Sequence, residues 1–392
     1  MELRRASCRA EAARMGVVRV VSSGDLYAIR KQWQELAKAA SQPNPFYAPA
    51  LFEAALRNFK ENRPLMLFLY DQGGRMLGFI PLVERKLYRG IPLWHLGTYS
   101  YLHCFLHTPL VRCGREVEFW TELLKWIDGQ NRFGFIEIQH IAGDSAVFAA
   151  LQAILSDTQR RNFASGRHER ALLKSPLDFE NYLSRELSAQ FRSEYRRRLR
   201  LLGKHGPIAL ELVKNRLELD RWLDDFLQIE REGWKGRGGS ALSQDRDDRR
   251  FFEEIMRESF EEKALMLFSL KAGDKAVAVA SFLMSGACAF SFKNAYDETY
   301  AKMSPGMILQ VEILKHLLGR VGWVDSCADP GHAMYERVFN CRRPIECLTI
   351  SKRRSGSELL VSALEMTRCL AVAARGLRFS TARQLHRSAA GG

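Results

Sequence analysis

The same order of predicted elements occurs twice along this chain. Leu65–Tyr70 and Arg75–Tyr88 are predicted strands joined by a glycine turn, and Leu265–Leu270 and Lys275–Met284 repeat that hairpin 200 residues later. In each half the order is a strand, two helices, three antiparallel strands, a helix, a strand, a helix and a strand. An internal duplication explains this order more simply than chance does. The alternative is one irregular α/β domain with appendages.

The length of 392 residues exceeds what one compact core usually holds and suits two domains. We expect an arm at 1–16, either mobile or lying ahead of the true start, and a first domain at 17–176. A second domain at 177–351 and a basic helix and tail at 352–392 follow. The fold class is therefore predicted as α/β (α+β), with two mixed sheets flanked by helices.

Positive charge is concentrated in a few segments. The net charge is +14, and segment 352–392 alone holds eight lysines and arginines against two glutamates. This distribution argues against a chain that binds nucleic acid over its whole surface. A predicted helix at 187–204 has one apolar face and one basic face. Its basic residues are Arg192, Arg196, Arg197, Arg198, Arg200 and Lys204. This face is either simply solvated or attracts an acidic partner.

Cysteine and histidine spacing gives little support to a metal site. None of the eight cysteines forms a C-x-x-C pair, which excludes a zinc ribbon and a thioredoxin-like motif. His103-Cys104-x2-His107 has no second cluster, so we expect these residues to pack in a strand or loop. The N-terminus lacks the apolar core of a secretory signal, and no apolar stretch is long enough to cross a membrane. A cytoplasmic location with reduced thiols is therefore expected.

Motifs in the second half carry a resemblance to a known family. Tyr300-x4-Pro305-Gly306-Met307-Ile308-Leu309 precedes a predicted helix, and Asp325 and Asp329-x5-Tyr335 follow it. The element order resembles the GNAT acyltransferase fold. The motifs resemble the CelD-like bacterial branch, which is related to the FemAB peptidoglycan transferases. FemAB relatives carry two GNAT-like halves in one chain, in agreement with the repeat. The resemblance covers roughly residues 17–350.

The resemblance implies an N-acyltransferase that moves an acyl group, with acetyl-CoA the expected form, from acyl-CoA to an amine. Small molecules, glycans and lipids all remain open as the acceptor. Backbone N–H groups at a helix start hold phosphates well, and Pro305 and Gly306 suit such a start. The predicted carrier-binding residues are Ser304, Gly306, Met307 and Ile308.

Acyl transfer also needs an acid for the leaving thiolate and a base for the amine. In GNAT enzymes a tyrosine in the position of Tyr335 often supplies the proton. His332 and Asp329 precede it and are the preferred candidate bases, ahead of Glu232. With Trp234 and Lys235, Glu232 lies before a glycine-rich segment that could form a substrate loop. The first half has no evident counterpart of Gly306 or Tyr335, so we expect it to be catalytically silent.

Two other functions fit the same residues. FemAB relatives take their acyl group from aminoacyl-tRNA, but the basic helix offers only Phe191 and Tyr195 for base stacking, both on its apolar face. We therefore rank tRNA below CoA. The segment Lys302-Met303-Ser304-Pro305-Gly306 has one glycine where the usual GNAT loop has two, which motivates a non-catalytic binding protein as the third hypothesis. The basic helix and tail would suit peripheral attachment to an anionic membrane surface such as the inner membrane.

Overall fold

The computed structural model describes residues 16–60, 63–353 and 356–369. Most of the predicted arm at 1–16 and the end of the predicted tail lie outside these residues. The strands of the described chain are β1 Val17–Val21, β2 Leu65–Tyr70, β3 Met76–Arg85, β4 His95–Thr98, β5 Leu110–Val111, β6 Phe135–Ala142, β7 Asn162–Leu173, β8 Ile208–Leu212, β9 Leu265–Ala272, β10 Lys275–Ser285, β11 Cys288–Tyr296, β12 Val324–Asp325 and β13 Cys341–Ser351.

The helices surround these strands on both faces. They are α1 Leu26–Lys38, α2 Pro49–Asn58, α3 Glu116–Gly129, α4 Ala146–Asp157, α5 Phe179–Arg185, α6 Ala189–Leu202, α7 Arg216–Glu232, α8 Trp234–Arg237, α9 Arg246–Glu261, α10 Pro305–Leu317, α11 Ala333–Val338 and α12 at 356–369. Side chains of Ser145, Ser188 and Asn215 cap α4, α6 and α7 by accepting backbone N–H groups. These caps fix where each helix begins.

The predicted hairpins and the repeated element order are confirmed. Both hairpins form, with β2 pairing β3 and β9 pairing β10 in antiparallel register. The two halves share one 13-stranded sheet of order β1-β2-β3-β4-β6-β13-β7-β12-β11-β10-β9-β8, with β5 paired to β3. The two predicted sheets are therefore joined edge to edge.

An exchange of final strands makes this junction. β7, the last strand before the predicted domain boundary at 176, pairs with β12 of the second half. β13, the last strand of the second half, pairs with β6 of the first. β7 and β13 also pair with each other over ten residue positions from Cys341–Leu172 to Ile350–Asn162. Each half thus completes the sheet of the other.

A buried charge cluster ties this junction together. Arg170 of β7 and Arg343 of β13 both donate to the carboxylate of Asp325 in β12, at 2.8 and 3.0 Å. Burial alone would raise the pKa of Asp325, but the two guanidinium groups hold it below its usual value. Strands from both halves therefore share one ion-pair network at the centre of the sheet.

Three large apolar cores lie against the sheet, together with a smaller one in which Phe135 and Phe163 pack under α12. One core is shared by the halves and packs α1 and α2 of the first half against α7 and α9 of the second. A second lies under α6, α10 and α11, and a third lies under α3 and α4. The shared core holds the two halves against each other.

Candidate active site

The candidate site lies where two parallel strands of the second half separate. β11 and β12 pair only at Ala289–Val324 and Phe290–Asp325. Beyond that point the Ser326 N–H donates to Ala171 of β7 at 3.1 Å, while β11 continues to Tyr296. The last residues of β11 therefore face an opening in the sheet.

A β-bulge re-aims the side chains of β11 at this opening. The register with β10 shifts between Ser281–Lys293 and Phe282–Ser291, which leaves Phe292 as the extra residue. The Ser281 hydroxyl accepts the Lys293 N–H at 3.1 Å and satisfies a donor in the distorted ladder. As a result Ser291 and Asn294 face α11, whereas Lys293 faces the first half.

Tyr335 of α11 reaches into the opening from one face of the sheet. Its phenol oxygen lies 2.6 Å from the Ser291 hydroxyl and accepts the Asn294 side-chain N–H at 3.1 Å. Burial raises the pKa of Tyr335 to about 12, and the bonds to Ser291 and Asn294 only partly oppose this. The phenol is therefore protonated at neutral pH and able to donate a proton.

Helix α10 begins beside this opening. Ser304 precedes it in the left-handed region, at φ 51° and ψ 58°, and Pro305 opens the helix. The Met307 and Ile308 N–H groups both donate to the Ser304 carbonyl, so the Gly306 N–H is the donor of this turn with no acceptor among the described residues. A Cβ on Gly306 would lie 3.6 Å from the Tyr296 ring, so the residue has room and faces Tyr296.

A cleft of about 330 Å³ joins these elements. Its walls come from the end of β11, the starts of α10 and α11, and the junction of α7 with α8. Six of the predicted site residues line it: Trp234, Lys235, Ser304, Gly306, Met307 and His332. The His332 ring also lies 5.0 Å from the ring of Tyr335, centroid to centroid. Most of the residues that the sequence analysis proposed for the site therefore surround one cavity. Their roles remain predictions.

Four of the ten predicted residues do not line the cleft. Tyr335 is buried, and its phenol is hydrogen-bonded to Asn294, which does line it. Ile308 is fully buried in the core under α10, because two residues of helix turn it about 200° away from Gly306, so its side chain cannot meet a ligand in the cleft. Asp329 is exposed and lies outside the cleft lining. Its negative charge opposes the lowering of the pKa of His168 that burial causes. Glu232 is also exposed and accepts a hydrogen bond from Gln228 at 3.0 Å.

A fixed charge pair forms part of the cleft wall. Glu230 is only 4% exposed, and one of its oxygens accepts the Lys235 ammonium at 2.8 Å. Its other oxygen accepts the Leu242 N–H at 2.8 Å. Sequence reasoning missed Glu230, Ser291 and Asn294 as site residues. The available signal for the last two was a run of polar residues inside an otherwise apolar strand.

The corresponding opening of the first half is filled. β4 and β6 are also parallel, and they pair only at Leu96–Ile136 and Gly97–Glu137. The chain over 98–108, which we call the filling segment, then occupies the gap. Its Thr98 and Thr108 hydroxyls accept backbone N–H groups of β6 at 3.0 and 2.9 Å, and its His107 N–H donates to β6. His107 is fully buried against Tyr47, in line with the predicted packing role.

The other predicted features are placed as follows. Arg196, Arg197 and Arg200 of α6 are exposed, whereas Arg192 bonds to backbone carbonyls. Within the described residues, no cluster of three potential metal ligands occurs. No helix in that part of the chain has the length and apolar character needed to cross a membrane.

Comparisons with known proteins agree with the fold. Residues 189–329 match the family model described as an acetyltransferase (GNAT) domain. FemX shares the fold with a TM-score of 0.54 at 11% identity, over 85% of this chain and 96% of FemX. A conserved protein of unknown function from Bacteroides thetaiotaomicron VPI-5482 has a TM-score of 0.51 at 13% identity, over 86% of this chain and 100% of that protein.

A third similar structure is the C-terminal domain (DUF2156) of a putative lysylphosphatidylglycerol synthetase from Agrobacterium fabrum. Its TM-score is 0.50 at 14% identity, over 89% of this chain and 97% of that domain. A search of curated proteins finds no match to the sequence. The likenesses to solved structures concern the fold, and the family match concerns the part that contains most of the cleft. Residues 189–329 therefore match an acetyltransferase (GNAT) domain, and the chain as a whole shares its fold with FemX.

Proposed function

We propose that this protein is an N-acyltransferase that moves an acyl group from acyl-CoA, with acetyl-CoA as the first candidate, to an amine. The observation that carries the proposal is the position of the Tyr335 phenol, which lies in the opening of the sheet and is hydrogen-bonded to Asn294, a residue that lines the cleft at the start of α10. Acid catalysis and carrier binding then take place at adjacent points.

The residues at the start of α10 suit the carrier. The free Gly306 N–H and the absence of acidic residues in the first turn of this helix favour a phosphate there. The apolar side chains of Met307 and Leu309 offer a wall for the less polar part of the carrier. A bound acyl-CoA supplies the activated carbonyl and a thiolate leaving group. Tyr335 would give its proton to the departing sulfur, and Ser291 and Asn294 hold its oxygen in place.

Incubation of the purified chain with an acyl-CoA panel and a panel of amines tests this function. We expect amine-dependent release of free thiol, and a CoA thioester that copurifies with the protein by mass spectrometry. A lipid or glycan amine is a sensible first acceptor class, since one structural neighbour is a putative lysylphosphatidylglycerol synthetase domain. No calorimetric heat from any member of the CoA panel would instead favour a non-catalytic binding protein.

Aminoacyl-tRNA is a second candidate donor, favoured by the exposed arginines of α6. Neutralising several phosphates makes affinity fall steeply with added salt. We expect a shallow salt dependence for CoA binding. Tight tRNA binding with a steep salt slope, lost when Arg196, Arg197 and Arg200 are changed to glutamine, would favour the tRNA donor. The same basic surface would suit a peripheral position at the cytoplasmic face of an anionic membrane.

A further inference from the structure

A lysine, a histidine and an aspartate from three elements form a chain of contacts behind the cleft. The Lys293 ammonium of β11 lies 3.1 Å from Nδ1 of His103 in the filling segment. Nε2 of the same ring lies 3.2 Å from the Asp248 carboxylate of α9. Lys293 also lies over the rings of Phe105 and Phe292, at 5.8 and 5.5 Å from their centroids. The two halves of the chain therefore both contribute to its surroundings.

The partners determine the direction of these hydrogen bonds. An ionised carboxylate only accepts, so Nε2 of His103 carries the proton that faces Asp248. Nδ1 of the neutral ring is then an acceptor, and Lys293 donates to it. Burial lowers the pKa of His103, which keeps the ring neutral. Asp248 and His103 thus hold the Lys293 nitrogen in one position through one of its N–H bonds.

The charge balance around Lys293 favours its neutral form more than for an ordinary lysine. Burial lowers the pKa of Lys293 to about 8, and the neighbouring Lys235 charge lowers it further, while Glu230 and Asp248 oppose the shift. Glu230 and Lys235 both line the cleft. Lys293 itself is not among the lining residues, but it precedes Asn294 in β11, and Asn294 does line the cleft.

We propose that Lys293 is the base that takes the proton of the acceptor amine, with His103 and Asp248 as its positioning residues. The proposal rests on the proposed acyl transfer. Its geometric support is the bulge in β11, which turns Asn294 towards Tyr335 and Lys293 towards the first half. One strand then places the acid and the base on opposite faces of the sheet, from which they would act on the sulfur and on the amine through the opening.

The protons balance as follows. The neutral Lys293 amine takes one proton from the acceptor ammonium, and the free amine forms the new C–N bond while the C–S bond breaks. Tyr335 gives its proton to the sulfur. The acceptor nitrogen loses a second proton as the amide forms, and this proton restores Tyr335 through solvent. Lys293 releases its proton to solvent, so one proton is released overall.

Three readouts test this assignment. In the first, ¹³C-methyl NMR of the reductively methylated full chain, with Lys293 assigned by its loss in Lys293→Met, gives the lysine pKa. We expect Lys293 to titrate near pH 8, whereas an ordinary lysine pKa of about 10.5 would overturn the proposal. Methionine keeps the length of the side chain against the two phenylalanine rings, which limits the loss of packing.

In the second, thiol release from acetyl-CoA is compared between wild type, Lys293→Met and Lys125→Met, a control on the outer face of α3. We expect turnover to fall about 100-fold or more in Lys293→Met alone, with CoA affinity within twofold of wild type. Wild-type turnover in Lys293→Met, beside a large loss in Tyr335→Phe, would remove Lys293 and keep the transferase. Absence of both CoA binding and thiol release in the wild type would instead remove the proposed function.

The third readout is the pH profile of kcat, which distinguishes a positioning role of Asp248 from a purely structural one. In Asp248→Asn a negative charge that favours protonated Lys293 is lost, so the rising limb of kcat near pH 8 should move to lower pH. His332 is the competing base, since it lines the cleft. A limb that stays near pH 8 in His332→Gln supports Lys293. A limb that disappears in His332→Gln and stays in Lys293→Met would overturn the assignment.

Discussion

The two halves of this chain share one frame and use its opening differently. In each half two parallel strands pair over two residues and then separate. In the second half the gap receives the Tyr335 phenol and borders a cleft, whereas in the first half the filling segment closes it with backbone and threonine hydrogen bonds. The comparison shows that the fold provides an opening, and that the residues after the first parallel strand decide whether it is available to a ligand.

The helices that follow the central hairpins also differ between the halves, in the charge of their first turns. α10 opens with Ser304, Pro305 and Gly306 and has no acidic residue in its first turn. α3, at the corresponding place in the first half, opens with Glu116 and Glu118. Carboxylates at a helix start suit its dipole but repel a phosphate. This difference supports the expectation that the first half is catalytically silent.

The filled opening still contributes to the site. His103 belongs to the filling segment and contacts Lys293 across the boundary between the halves. The first half would therefore have no carrier site of its own and would supply a positioning residue to the second. Matched substitutions in the two halves test this difference between the open and the filled opening.

The largest expected effect comes from Tyr335→Phe. Loss of the proton donor should lower turnover about 100-fold or more, because general acid catalysis contributes at least that much. The matched change is Tyr88→Phe in the first half, which also removes a buried phenol bonded to a hydroxyl, that of Thr349. Steady-state thiol release should stay within twofold of wild type in the control. Equal turnover in both variants would remove Tyr335 from the mechanism.

Asn44→Leu tests the filled opening. Asn44 is fully buried and donates to the Leu106 and Thr108 carbonyls at 3.1 and 2.7 Å, which anchors the filling segment. Leaving these groups unpaired should lower the free energy of unfolding by about 2 kcal/mol. Denaturant unfolding measures this change. Asn181→Leu, at an exposed helix start, is the control and should change stability little. No loss in Asn44→Leu would mean that the segment is not held by these bonds.

Gly306→Val should weaken CoA binding about tenfold or more. The added methyl groups enter the cleft beside Tyr296, and Gly306 has an ordinary helical backbone, so the fold should be kept. Gly129→Val places the same side chain in open space at the end of α3. Calorimetry should show a loss of CoA affinity in Gly306→Val only. Comparable affinity in both variants would place the carrier elsewhere.

The smallest expected effect concerns pH: deprotonation of Tyr335 should not lower the rate in the moderately alkaline range. Since burial raises the pKa of Tyr335 to about 12, the phenol stays protonated as pH rises towards 11, and the acid form is lost only above that range. Single-turnover rates should therefore show no falling limb from Tyr335 between pH 7 and 10. A falling limb near pH 10 that disappears in Tyr335→Phe would show that the phenol is less buried than the structure indicates.

Much of the fold could be predicted from the sequence because its signals are local. Glycine turns between runs of apolar residues marked both hairpins, and Pro305 marked the start of α10. The nine residues before Ala171 were missed as part of β7, because polar and charged residues alternate there without a continuous apolar run. The exchange of β7 and β13 depends on pairing between distant segments, which no local pattern encodes.

The site was predictable to the extent that its residues lie close together in the sequence. Gly306, His332 and Tyr335 follow one another within the second half, although the matched domain at residues 189–329 includes only Gly306. Lys293 was missed because its partner His103 is 190 residues away and the lysine gains its character only from burial between the halves. Ile308 was misplaced because sequence proximity to Gly306 ignores the turn of the helix.

The number of carrier molecules that one chain binds tests the central claim most directly. Calorimetric titration of the full chain with CoA should give one site per chain, and that site should be lost or strongly weakened in Gly306→Val. Two sites per chain, or one site with unchanged affinity in Gly306→Val, would contradict the account that only the open half holds the carrier.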